Sequence, residues 1–213
     1  MHNPKKIICI DPVNPEPVII AKAGKILAQN GVVIFPAKCL YGVAVHAFNT
    51  QAVEQVFQLK NRPRSNPILI LVKDRAMLNT LVTHIPDSAN LLMDAFWPGN
   101  LTLVFNAQDH IPEQLTAGTE KIGIRIPVHP VAQALVQQVN FPITGTSANL
   151  TGEKGCTRID QLAISIIDQS DLILDAGPVK GGKGSTIADV TEETVRILRE
   201  GEISGKQIKK ALA

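Results

Sequence analysis

The sequence predicts an α/β protein: one twisted, open, mixed sheet with helices on its faces. Two observations lead there. Short apolar runs rich in β-branched residues recur along the whole length and read as strands, and the stretches between them place apolar side chains at helical spacing. A third observation concerns organisation. The 213 residues contain no internal repeat, low-complexity tract, run of like charge or long Pro/Gly linker, so residues 1–213 are read as a single domain.

The strand-like runs lie at residues 32–35, 68–72, 101–105, 122–126, 172–174 and 195–198. Residues 142–144 and 186–190 look extended as well. The run Ile7-Ile8-Cys9-Ile10 is closed by Asp11 too early for a secretory signal. Helical spacing is clearest after Asn49-Thr50, where Ala52, Val53, Val56 and Phe57 fall at i, i+1, i+4 and i+5 behind a cap candidate. Further helices follow Asp74, Asp87, Pro130, Thr157 and Ser204. Strands that alternate with helices form a sheet covered by helices, and the tight spacing of runs near 101–127 and 185–199 adds antiparallel pairs. Connections at 36–49, 61–67, 106–121, 145–157 and 176–185 carry Gly, Pro and Ser, and such segments hold the chemistry of an α/β scaffold.

Composition excludes several classes. With 45% hydrophobic residues, 19% charged and a net charge of +2, the chain has the balance of a globular domain and not of a disordered one. Cys9, Cys39 and Cys156 form no CxxC pair, which argues against a structural zinc site, and their odd number suggests a reducing compartment. No stretch reaches the roughly 18 apolar residues of a membrane span. The expected location is cytoplasmic, with no membrane partner. His2, His46, His84, His110 and His129 lack metal-ligand spacing and are read as surface or core residues. One Trp, one Tyr and six Phe offer little surface for stacking single-stranded bases.

Several segments carry candidate chemistry. Lys60-Asn61-Arg62-Pro63-Arg64-Ser65-Asn66-Pro67 ends a predicted helix with cations and two prolines. It is either a C-terminal cap that complements the helix dipole or a rigid loop that presents cations to phosphate. Gly145-Thr146-Ser147-Ala148-Asn149 nearly fits a G-x-S-x-G elbow, but the last histidine is His129, upstream of the serine, so that hydrolase class is excluded. Ser147 and Asn149 remain as hydrogen-bonding groups at a strand end, or as a plain polar turn. Gly177 to Lys183 satisfies G-x-x-x-x-G-K, yet Gly184 follows and residues 186–190 look like a strand, so no P-loop is expected. The glycine loop with its two lysines closes over phosphates or forms an exposed hairpin. Arg125 and Arg199 alternate with apolar residues on strands and face either solvent or a cleft. Cys39, near Tyr41 and His46, is a thiol nucleophile only if its pKa is lowered.

In order, Gly31-Val32-Val33-Ile34-Phe35-Pro36, Tyr41-Gly42, Asn49, Lys60-x-Arg62-Pro63, Asn66-Pro67, Trp97-Pro98-Gly99, Gly123-Ile124-Arg125-Ile126-Pro127, Ser147-Ala148-Asn149, Ser185-Thr186 and Arg199-x-Gly201 resemble the YrdC/Sua5 family. The similarity runs over roughly residues 17–205. It implies a YrdC-like twisted sheet with a concave basic cleft, without the additional C-terminal domain of longer relatives. It also implies a nucleotidyltransferase, an L-threonylcarbamoyladenylate synthase. Such an enzyme forms threonylcarbamoyl-AMP and pyrophosphate from L-threonine, bicarbonate and ATP for N6-threonylcarbamoyladenosine in tRNA. By the resemblance, Lys60 and Arg62 hold the triphosphate as the catalytic pair, and Ser147, Asn149, Ser185 and Arg199 complete the nucleotide site. Arg125, with Tyr41 and Ser147, receives the amino acid. Mg2+ arrives with ATP, and tRNA-modifying proteins are the expected partners. Many relatives read P-T-[DE]-T-x-Y-G-L where this chain has Pro36-Ala37-Lys38-Cys39-Leu40-Tyr41-Gly42-Val43, and an aspartate common further on is His46. That departure leaves the acceptor amino acid open. It also leaves two alternatives: a non-catalytic module binding tRNA, rRNA or double-stranded RNA, and a carbamoyl-type transferase with another acceptor.

Overall fold

The computed structural model describes residues 6–213, so His2 lies outside the described residues. The strands are β1 (Ile7–Cys9), β2 (Val33–Pro36), β3 (Tyr41–Ala44), β4 (Ile70–Leu71), β5 (Leu101–Asn106), β6 (Lys121–Arg125), β7 (Ile143–Thr144), β8 (Thr146–Ser147), β9 (Leu172–Asp175), β10 (Thr186–Asp189) and β11 (Arg196–Arg199). They form a five-stranded sheet in the order β1-β9-β2-β3-β8 and a six-stranded sheet in the order β11-β10-β5-β6-β4-β7. Both are mixed. The expected antiparallel pairs are present as β5 with β6 and β10 with β11.

The expected mixed sheet is thus divided in two, and the division falls within one stretch of chain. β7 pairs with β4 in the larger sheet, β8 pairs with β3 in the smaller, and only Gly145 stands between them. A Cβ at Gly145 would lie 2.7 Å from Leu69 Cδ1 and 2.8 Å from Leu71 Cγ. The bend is therefore packed directly onto β4 and the residue before it.

The helices are α1 (Pro17–Ala28), α2 (Thr50–Lys60), α3 (Arg75–Asn79), α4 (Asp87–Phe96), α5 (Glu113–Thr116), α6 (Pro130–Gln138), α7 (Ile164–Gln169) and α8 (Gly205–Ala211). Three of them, α2, α3 and α8, start behind short polar side chains that satisfy otherwise unpaired backbone N–H groups. Asn49 accepts from Ala52 N at 2.8 Å, Asp74 accepts from Met77 N at 2.7 Å, and Ser204 forms a capping box with Gln207. No helix among the described residues is long and apolar enough to cross a membrane.

Strand alternation sorts the core into two layers. Val32, Ile34 and Ile173 point into a core shared with α2 and α4, whereas Val33, Phe35, Leu172 and Leu174 point into a second core beneath α1 and α6. Burial on both faces explains why these strands read as unbroken apolar runs.

Several segments differ from the sequence expectation, among them β1 and, within the connection at 145–157, β8. Residues 36–49, read as a connection, contain β3; residues 106–121 contain α5; and α1 precedes the first expected strand. The run at 68–72 contributes only Ile70–Leu71 to a ladder, because the Ile68 amide donates to Leu115 O and the Gly145 amide reaches Leu69 O.

Candidate functional site

A cavity of about 610 Å³ opens where the two sheets meet, and Arg62, Arg125, Ser147, Ser185, Arg199 and Tyr41 all line it. Residues far apart in sequence are brought together because the ends of β3, β6, β8, β10 and β11 face one another across the junction.

Arg62 reaches the cavity through a built turn. Asn61 ends α2 in the left-handed region at φ 48°, and the Arg62 amide closes the helix by donating to Phe57 O at 2.9 Å. Its guanidinium donates to Asn66 O at 3.1 Å and Pro67 O at 2.6 Å, so the proline-flanked loop holds the side chain without a carboxylate. Burial, with the nearby Arg199 charge, pulls its pKa down. Arg199, at the end of β11, donates to Ser185 O at 2.7 Å and to Ser185 Oγ at 3.3 Å. Ser185 is buried and also accepts from Thr102 Oγ1 at 2.9 Å.

Arg125 resolves its open alternative in favour of the cleft. It is only 9% exposed, its Nη1 donates to Asn100 Oδ1 at 3.3 Å, and its buried Nε has no partner. Burial pulls it down to about 10. A buried guanidinium in the cavity wall with one long hydrogen bond retains unpaired donors, which suits it to a planar anion such as a carboxylate.

Three expected ligand-binding residues are placed differently. Lys60 is 2% exposed and does not line the cavity; its Nζ donates to Ser147 O and Asn149 O, each at 2.5 Å. Burial, then the Arg62 charge, lowers it to about 8. The ammonium is a strut beneath the Ser147–Asn149 segment rather than a group open to phosphate. Asn149 is likewise turned inward, donating from Nδ2 to Leu150 O at 2.7 Å and Glu153 O at 3.0 Å, while its Oδ1 is buried without a partner. Tyr41 borders the cavity, but it is buried and its hydroxyl is engaged elsewhere, donating to Gly177 O at 2.7 Å and accepting from Ala176 N at 3.1 Å. It anchors the base of the glycine loop, and burial raises it to about 12.

That loop is neither a P-loop nor a free hairpin. A strand, β10, follows it, Gly181 N donates to Cys39 O at 3.0 Å, and Val179 N donates to Thr157 O at 2.9 Å. Cys39 is no activated nucleophile, because burial and then the neighbouring Glu202 push its thiol up. His46 stacks on Phe141 at 3.7 Å and His129 caps α6, as core and surface roles require. Among the described residues no group of three metal-ligating side chains exists.

Sequence reasoning missed Asn100, Thr102, Lys121 and Asp189, which also line the cavity. Asn100 follows Trp97-Pro98-Gly99, and that adjacency was its one available signal. Lys121 and Asp189 pair across the sheet at 3.0 Å, an arrangement that no local pattern encodes.

Residues 25–201 match the family model for Sua5, YciO and YrdC proteins, described as "Telomere recombination". The threonylcarbamoyl-AMP synthase of Bacillus subtilis is 37% identical over 190 residues, which cover 89% of this chain and 55% of that protein. A putative threonylcarbamoyl-AMP synthase of Mycobacterium tuberculosis is 34% identical over 96% of this chain and 93% of its own length. The crystal structure of Pyrococcus abyssi Sua5 complexed with L-threonine superposes with a TM-score of 0.92 at 31% identity, over 96% of this chain and 60% of that one. This chain therefore spans little more than half the length of the Bacillus relative. The matched region takes in Arg62, Arg125, Ser147, Ser185 and Arg199, and the chain belongs to the Sua5–YciO–YrdC family.

Proposed function

We propose that this chain is a threonylcarbamoyl-AMP synthase, a nucleotidyltransferase that joins L-threonine, bicarbonate and ATP and releases pyrophosphate. The observation that carries the reading is that three arginines, Arg62, Arg125 and Arg199, share one cavity while none has a carboxylate partner among the described residues. The names borne by relatives at 34–37% identity support it.

The chemistry asks for such a wall. The threonine amine attacks the carbon of bicarbonate, and loss of water leaves a carbamate. A carbamate oxygen then attacks the α-phosphorus, and the bond from that phosphorus to the pyrophosphate oxygen breaks. Two anions must approach within contact distance, and unscreened repulsion of about 4 kcal/mol per charge pair opposes them at an effective dielectric near 20. In this reading Arg62 and Arg199 hold the triphosphate and offset the charge that develops on pyrophosphate. Arg125 grips the amino-acid carboxylate, and Ser147 and Ser185 orient the nucleotide. Lys60 and Asn149 act indirectly by fixing the strand end that carries Ser147, and Tyr41 fixes the glycine loop. Mg2+ enters as part of the ATP substrate. Downstream, tRNA-modifying proteins of the cytoplasm consume the product.

Purified protein given ATP, bicarbonate and L-threonine should release pyrophosphate only when all three are present. Steep, salt-dependent binding to tRNA or double-stranded RNA without any turnover would replace this reading with the RNA-binding one. Turnover with a different amino acid or amine would replace threonine as the acceptor.

A further inference from the structure

We propose that Glu202 is a positioning residue: its one carboxylate fastens the glycine loop at 177–184, whose last residue lines the cavity, and holds Arg125 in aim through Asn100. Glu202 does not line the main cavity. It follows β11, and its amide donates to Gly184 O at 3.1 Å, which sets its side chain at the edge of the loop.

Three separate segments converge on that carboxylate. Oε1 accepts from Lys180 Nζ at 2.5 Å, within the glycine loop. Oε2 pairs with Lys38 Nζ at 3.2 Å, accepts from the Cys39 thiol at 3.6 Å and accepts from Asn100 Nδ2. Asn100 then presents Oδ1 to Arg125 Nη1 at 3.3 Å. Burial opposes ionisation of Glu202, yet the donors Lys180, Lys38 and Asn100 hold it down at about 2, so the carboxylate stays charged.

The fastening is built to release. The Lys180 and Lys38 side chains are 63% and 40% exposed, and ion pairs of that kind are individually weak. Gly177, Gly181 and Gly182 sit at φ of 73°, 75° and 95°, so the loop turns at residues that other side chains would strain. Behind the latch lies a second cavity of about 500 Å³, lined by Lys38, Asn100, Lys180 and Glu202. Lys38 and Asn100 line both cavities. The latch therefore stands where the two cavities adjoin, beside Asn100 and its partner Arg125.

The kinetic half of this inference rests on the proposed reaction; the loop half does not. In Glu202→Gln, amide exchange across residues 179–182 should quicken about tenfold, equivalent to losing about 1.4 kcal/mol of local protection, while β5 amides keep their rate. In the same variant the KM for threonine should rise about tenfold with the KM for ATP within about twofold. Lys180→Met, at an exposed position, should quicken the same loop exchange by a smaller factor of about two to five, without the KM change, and serves if the Glu202 variant fails to fold. Unchanged loop exchange in either folded variant overturns the proposal, as does an equal rise in both KM values. If wild-type protein makes no pyrophosphate, the reaction fails and loop exchange still decides the latch.

Discussion

Arg125 shows how one side chain trades stability for chemistry. Its guanidinium is buried with a single long hydrogen bond and, among the described residues, no counter-ion, a state that disfavours folding because the lost hydration is not replaced. Arg125→Met should therefore leave the fold about 1 kcal/mol more stable, a rise of about 2–4 °C in melting temperature for a chain of this size, while the threonine-dependent pyrophosphate release proposed above should disappear. A lower melting temperature would contradict this account of the site. The same scale explains what was legible. Arg62 and Ser147 announced themselves as polar residues in loops between apolar runs. Lys60 and Asn149 did so equally, yet both turn toward backbone carbonyls. Residue type names a donor but not the direction in which it points, and for Tyr41, Lys60 and Asn149 that direction follows from contacts made across the fold.

At the scale of elements, caps were the most readable feature. Asn49, Asp74 and Ser204 each accept the backbone donor that a cap residue should, since their oxygens lie two or three bonds from the chain and reach a free N–H without help from elsewhere. Asn49→Ala should cost about 1 kcal/mol in denaturant unfolding. Because α2 delivers Arg62, its last turn should also exchange faster. A loss below a few tenths of a kcal/mol would show that packing alone fixes the helix start. The elements that escaped notice lack such local marks. In β3 the sequence Tyr-Gly-Val-Ala carries no alternation, because all four residues are buried. In α1, Val18, Ile19, Ile20 and Ala21 are consecutive apolar residues, and only the buried set Ile20, Ala23, Gly24 and Leu27 shows the helical period.

For the molecule as a whole, alternating strands and helices gave the class, and the two cores follow from strands with apolar residues on both faces. The division into two sheets was not readable, because it depends on which neighbour each half of residues 143–147 finds. Gly145 holds that division. Gly145→Ala would press a methyl group within 2.9 Å of Leu69 and Leu71 side-chain carbons, and Leu71 is fully buried. Overpacking of this kind should destabilise by about 1–3 kcal/mol, read as a lower melting temperature; an unchanged value would mean that the leucines yield freely.

The bend at Gly145 has a further effect. The piece of chain that carries Ser147 is continuous with the piece that pairs beside β4 and, through it, with the strand that ends in Arg125. The two jaws of the cleft thus share a pivot of one residue, like a pair of callipers. Whatever gap that pivot sets is the gauge against which every molecule entering the cleft is measured.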